Sequence, residues 1–126
     1  MGRDLSSYKK GFNAEMVISN YLVQHGYKII RHRYKTEYGE IDLIASKEKL
    51  LLFVEVKSRK VIPNHEIINI KQKKRCCEAA MYFLSQNQTF SNFTMRFDCF
   101  FINPHGKFNH IKNAWEVTES ELATVL

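Results

Sequence analysis

The sequence predicts an α/β fold, a mixed sheet with helices against its faces. Its elements read in the order α-β-β-β-α-β-β, and nothing between them is long enough to be a linker or repeats itself, so residues 1–126 read as one domain. The stretch 39–57, GEIDLIASKEKLLLFVEVK, is the most strand-like in the chain. It nevertheless carries Asp42, Glu55 and Lys57 where a sheet wants core.

In order along the chain, residues 8–25 place Tyr8, Phe12, Met16, Ser19, Leu22 and Val23 at a helical period, and Gly26 supplies the stop. YKIIRHRYK alternates as a first strand, and Thr36 to Gly39 turns it back. GEIDLIA is the second strand and LLLFVEVKS the third, with a turn between Ser46 and Lys49. Pro63 and Asn64 mark a helix start, and the helix runs through KQKKRCCEAAMYFLSQ until the polar SQNQTFSN closes it. TMRFDCFFIN and KFNHIKN are two further strands around a Pro104-His105-Gly106 turn, and WEVTESELATVL is weakly helical.

Composition narrows the class. Hydrophobic residues at 44% and charged residues at 25% are ordinary for a folded globular chain. The longest apolar run, LLLFV, ends at Glu55, far short of the roughly 18 residues of a membrane span. MGRDLSSYKKGF has no apolar h-region, so no secretory signal is expected, and Met1-Gly2 with Ser6 matches only the outline of an acylation signal. Three cysteines (Cys76, Cys77 and Cys99) without a CxxC pair fit a reduced, cytoplasmic setting and read as small buried hydrophobes. The histidines show no zinc spacing.

Charge is informative through its placement. Between Lys57 and Arg75, seven basic residues (Lys57, Arg59, Lys60, Lys71, Lys73, Lys74, Arg75) stand against the single acid Glu66. That surplus equals the whole chain's net +6. Lys28, Arg31, Arg33 and Lys35 form a second group just before the acidic motif. Such clusters suit a polyanion through phosphate neutralisation, although a lysine-rich solvated helix face accounts for composition alone equally well.

Side chains alternate along a strand, so Glu55 and Lys57 share a face. If Glu48-Lys49 is a two-residue turn, Asp42 faces Glu55 and Glu40 faces Lys57, with Cβ atoms roughly 5 Å apart; a turn shifted by two keeps the same faces and changes only the partners. A register slip of one would move Asp42 to the other side. Two carboxylates this close in a half-buried sheet need a cation. Hard oxygen ligands suit Mg2+ or Mn2+, and a neighbouring lysine suits charge building on an attacked phosphorus. The bare Glu-x-Lys triplet arises by chance in about half of chains this long. What lifts it above decoration is the acid on the paired strand, the apolar strand around it and the lysine-rich helix that follows.

GEIDLI followed by FVEVKSR resembles the PD-(D/E)xK superfamily of restriction-endonuclease-like folds. More narrowly, it resembles the YraN-like family of predicted endonucleases, related in fold to Holliday-junction resolvases. Glu15 after Ala14, YLVQHGYKII, RFD at Arg96 to Asp98 and HIKNAW extend the likeness over nearly the whole chain. The resemblance implies a divalent-metal-dependent nuclease acting on nucleic acid, with DNA favoured and branched or junction DNA one substrate it allows beside linear duplex. It implies Asp42 and Glu55 as metal ligands with the Val56 carbonyl as a third, Lys57 as the catalytic lysine, and Glu15 as a further acid. Lys71 or Gln72 would add a polar contact, and Arg59, Lys60, Lys73, Lys74 and Arg75 would meet phosphate. Junction cleavage would call for a homodimer, since two symmetric cuts need two sites.

Departures from the family pattern fall on Ala14, where glycine is usual, on Ile18, where alanine is usual, and on Trp115, where phenylalanine is usual. The first two bear on the reach of Glu15, which reads equally as a ligand and as a salt-bridged helix residue. Glu40 reads as a partner of Lys57 or a turn stabiliser, Arg96 and Asp98 as a structural ion pair, and Trp115 as core or an interface anchor. The alternative to the nuclease is a non-catalytic nucleic-acid-binding module of the same fold. A third reading is an interaction protein whose basic helix meets an acidic partner.

Overall fold

A computed structural model describes residues 13–63 and 69–115. Its elements are α1 (Ala14–Gln24), β1 (Lys28–Lys35), β2 (Glu40–Lys47), β3 (Leu50–Ser58), α2 (Ile70–Gln86), a short 3-10 turn (Gln88–Phe90), β4 (Thr94–Ile102) and β5 (Phe108–Trp115). This is the expected α-β-β-β-α-β-β order. The strands form one sheet ordered β1-β2-β3-β4-β5, in which β3 and β4 run parallel and the other neighbours antiparallel. The parallel pair is what demands α2, because two parallel strands need a crossover. No helix among the described residues is long and apolar enough to cross a membrane.

Each face of the sheet buries its own cluster. On one side Ile41, Ile44, Leu51, Phe53, Phe97 and Phe101 pack against Cys76, Cys77, Ala80 and Phe83 of α2. On the other, Leu43, Ala45, Leu52, Val54, Phe100 and Ile102 pack against Ile18 and Leu22 of α1. β3 and β4 are covered on both faces and so read as nearly continuous apolar runs. The three cysteines are buried and unbridged, as expected of small hydrophobes. Trp115 stacks on Phe97 with ring centroids 5.5 Å apart, which places it in the core.

Three expectations shift. Met16 and Val23 are exposed, and α1 buries Ile18, Ser19 and Leu22 instead. The helix has more apolar residues than one face can take, and the unbroken stripe is Ala14, Val17, Ile18, Tyr21, Leu22. Second, α2 begins at Ile70, where the Asn69 side chain accepts the Lys71 N–H at 2.8 Å. Asn64, expected as its start, lies outside the described residues, as do Tyr8, Phe12 and the weakly helical tail beyond Trp115. Third, β5 extends two residues past Asn113 to Trp115.

Candidate active site

The hairpin takes the expected register. Lys47 pairs with Leu50 across Glu48-Lys49, where Glu48 adopts φ 56, and pairing continues to Leu43 opposite Val54. One step further, at Asp42 and Glu55, the backbone ladder gives out. The Asp42 carboxylate takes over instead, its Oδ2 accepting the Val56 N–H at 2.7 Å. The alternation of β2 slips here as well: Ile41 and Ile44, three apart, both face α2, while Leu43 faces α1. On β1 the residue in register with Asp42 is Arg33, between the pairs His32–Leu43 and Tyr34–Ile41, and its φ is 47.

Glu55 is 6% exposed. Gln72 of α2 donates from Nε2 to Glu55 Oε2 at 2.8 Å and accepts from Lys57 Nζ at 2.5 Å, so one amide joins the acid to the lysine. Gly39 sets the distance between hairpin and helix. A Cβ there would lie 2.3 Å from the Arg75 backbone oxygen, so only glycine lets the β1–β2 turn press against α2 this closely.

These carboxyls are starved of countercharge. Burial foremost, with Glu15 and Glu40 adding to it, pushes Asp42 up to about 6 against the pull of the Val56 N–H. Burial and then the Asp42 charge push Glu55 up to about 8, with Lys57, the Asp42 N–H and the Gln72 amide opposing. Among the described residues, Glu55 Oε1 is buried without a hydrogen-bond partner. An orphaned carboxylate oxygen beside a second desolvated acid fits a hard divalent cation such as Mg2+ or Mn2+. Among the described residues no three His, Cys, Asp or Glu side chains converge as a finished cage, so the remaining ligands would be water, phosphate or a carbonyl such as that of Val56.

Glu15 stands in the first turn of α1, where Asn13 caps the helix by accepting the Met16 N–H at 3.1 Å. Its partner is Arg33, whose Nε donates to Glu15 Oε1 at 3.0 Å. Glu15, Arg33, Lys35, Glu40, Ile41 and Asp42 line a hollow of about 260 Å3. Glu40 pairs with Lys35 in the β1–β2 ladder. The expected Glu40–Lys57 pairing gives way, because the Lys57 ammonium turns to Gln72.

Of the basic residues, Lys60, Lys71, Lys74 and Arg75 are exposed and Lys73 half-buried. The Arg59 guanidinium lies 5.6 Å from the Phe101 ring centroid. Lys28, Arg31, Arg33 and Lys35 are exposed on β1, an edge strand of the sheet.

Arg96 and Asp98 form the expected ion pair, at 2.8 and 2.9 Å, on the α1 side of the sheet. Sequence reading missed the rest of this group: His110 Nε2 lies 2.6 Å from Asp98 Oδ2, and the Asn113 N–H donates to Oδ1 at 2.9 Å. Burial alone would raise Asp98, but His110, Arg96 and the Asn113 N–H together hold it below its ordinary value. The available signal was the acid itself, since a wholly buried aspartate demands donors from the neighbouring strand.

Comparison with known proteins finds a family model and relatives that cover most of the chain. The model of the uncharacterised protein family UPF0102 matches residues 14–102. A UPF0102 protein of Ehrlichia ruminantium is 40% identical over 109 residues, covering 84% of this chain and 83% of that protein. Relatives from Rhodopseudomonas palustris and Nitrobacter winogradskyi are each 33% identical over 115 residues, covering 90% of this chain and 85% and 98% of their own lengths.

Proposed function

We propose that this chain, which belongs to the uncharacterised protein family UPF0102, is a divalent-metal-dependent nuclease that hydrolyses phosphodiester bonds, with DNA its favoured substrate. The observation that carries the reading is Glu55: a buried carboxylate with one oxygen unpartnered among the described residues, beside Asp42 and bridged through Gln72 to Lys57. A purely structural acid would be expected to have found a donor for that oxygen.

Asp42, Glu55 and the Val56 carbonyl would hold the cation, which when bound supplies Lewis acidity toward a phosphoryl oxygen. The chain's own residues do the rest. Gln72 fixes the Lys57 ammonium in place, so that its charge meets the negative charge developing at phosphorus without reorganisation. Lys71, Lys74 and Arg75 on α2, and Lys28, Arg31 and Lys35 on β1, give a backbone phosphate two basic approaches. Branched or junction DNA is one substrate the resemblance allows beside linear duplex, and symmetric cutting of a junction would require two copies of the chain.

The second reading is a nucleic-acid-binding module without catalysis, supported by the exposed basic residues of α2 and β1, which meet phosphate with or without a metal. Calorimetry with Mg2+ or Mn2+ separates the two, followed by incubation with labelled single-stranded, duplex and junction DNA. Wild-type protein and the Asp42→Asn, Glu55→Gln double variant are compared. Metal binding and cleavage that vanish together in the double variant support the nuclease. If the wild type binds no metal even with DNA present, the binding module replaces it.

A further inference from the structure

Arg33 has no place in the chemistry above, yet its surroundings are unusual. It lies in register with Asp42 on the adjacent strand, and its φ of 47 is left-handed. Residues with a side chain rarely hold that conformation unless their surroundings over-determine it, and such positions gather at functional sites. The conformation goes with a contact between layers, from the Arg33 Nε on the sheet to Glu15 on the helix. The two partners differ in freedom: the Glu15 side chain is 20% exposed and that of Arg33 67%. The contact uses Nε, and an arginine carries four further N–H donors in the same plane, suited to phosphate.

The shared hollow holds three carboxylates, Glu15, Glu40 and Asp42, with Arg33 and Lys35 as cations. Glu15 raises the affinity of Arg33 for its proton, and Asp42 and Glu40 add to the effect, so the guanidinium answers to all three acids. Glu15 does not converge with Asp42 and Glu55 into a cation cage.

We propose that Arg33 is a built-in counter-ion that occupies Glu15 in the cation-free protein, and that it exchanges onto a backbone phosphate of bound nucleic acid when a divalent cation draws Glu15 toward Asp42. The inference rests on the reading of Asp42 and Glu55 as cation ligands and adds a positioning residue to that site. It couples two binding events. The cation releases an arginine for the nucleic acid, and the nucleic acid, by reciprocity, releases a carboxylate for the cation. The position suits the exchange, because Lys28, Arg31 and Lys35 are exposed on the same edge strand, and Lys35 shares the hollow with Arg33.

The test counts free Mn2+ by electron paramagnetic resonance while metal is titrated into the wild type, Arg33→Ala, Lys35→Ala, Glu15→Gln and the Arg33→Ala, Glu15→Gln pair. Arg33→Ala is expected to bind Mn2+ roughly twofold to fivefold more tightly, the size of a released exposed ion pair. Lys35→Ala controls for loss of a nearby positive charge and should gain less. With Glu15→Gln the gain from Arg33→Ala should disappear. An unchanged affinity in Arg33→Ala, an equal gain in Lys35→Ala, or a gain that survives Glu15→Gln overturns the proposal. If neither the wild type nor Arg33→Ala binds Mn2+, the metal reading itself has failed; if both bind equally, only the role of Arg33 has. Should Arg33→Ala melt early, Arg33→Gly, which suits the left-handed backbone, repeats the test.

A second readout uses duplex DNA with Ca2+ or with chelator. Arg33→Ala should cost more DNA affinity with Ca2+ present than without it. An equal cost in both conditions overturns the exchange.

Discussion

Gln72 reaches Glu55 across the gap between helix and sheet, its amide nitrogen 2.8 Å from a carboxylate oxygen. The same amide receives the Lys57 ammonium through its own oxygen. A neutral side chain therefore holds an acid and a base of β3 in fixed relation, and the helix that carries it follows β3 directly in the chain.

Replacing that amide should disable the site without dismantling the fold. Gln72→Ala leaves Glu55 and Lys57 unbridged, and cleavage is expected to fall about 10- to 100-fold, as when the outer support of a metal ligand is lost. The melting temperature should move by only a few degrees. The check is a cleavage time course beside a thermal melt, and unchanged cleavage at full stability would remove Gln72 from the site.

The protonation of the hairpin gives a pH signature. Folded Asp42 and Glu55 keep protons up to about 6 and about 8, whereas in the unfolded chain they release them near 3.8 and 4.5. The folded state binds more protons through that window, so its stability falls as pH rises from roughly 4 to 8. Without metal, the melting temperature should therefore fall steadily across that window, which thermal melts at stepped pH would register. Glu55→Gln should flatten most of the decline. Asp98 runs the other way: its lowered value contributes stability above the ordinary aspartate range that is lost as pH falls through the folded value.

Asp98→Ala should be among the most damaging substitutions in the chain. It strips Arg96, His110 and the Asn113 N–H of their shared acceptor. Breaking a buried charged group by removing one partner costs about 3–5 kcal/mol. Chemical denaturation would register the loss, and a cost under about 1 kcal/mol would show that water replaces the carboxylate.

Gly39→Ala tests the seat of α2. The new methyl would meet the Arg75 carbonyl carbon at 2.8 Å as well as its oxygen, so the turn or the helix must move. A cost of about 1–3 kcal/mol is expected, as for other overpacked contacts. Cleavage should drop with it, because displacing α2 carries Gln72 off Glu55.

Much of this architecture could be read from residues alone. The turn at Glu48-Lys49 and the run LLLFVEVKS gave β3 its bounds and set Asp42 near Glu55, because a two-residue turn leaves a hairpin little choice of register. The break at Asp42 and Arg33 was hidden, since period-two counting assumes an unbroken strand and cannot see a side chain replacing the backbone. Gln72 could be named but not placed, because its position depends on how close Gly39 lets the helix come. His110 and Asn113 were invisible for a related reason: they meet Asp98 from a neighbouring strand, where β5 shifts register and Asn113 takes φ 52.

The way the two hairpin acids are already employed limits what they can offer. Asp42 has Oδ2 tied to the Val56 N–H, and Glu55 has Oε2 tied to Gln72. An oxygen that accepts one such bond keeps a lone pair, so the limit falls on how each carboxylate is turned and not on how many oxygens it has. The Val56 N–H fixes one face of Asp42, and the Gln72 amide fixes one face of Glu55. The fold's own hydrogen bonds would thus set the angle of approach in advance and leave an arriving cation little rearrangement to drive.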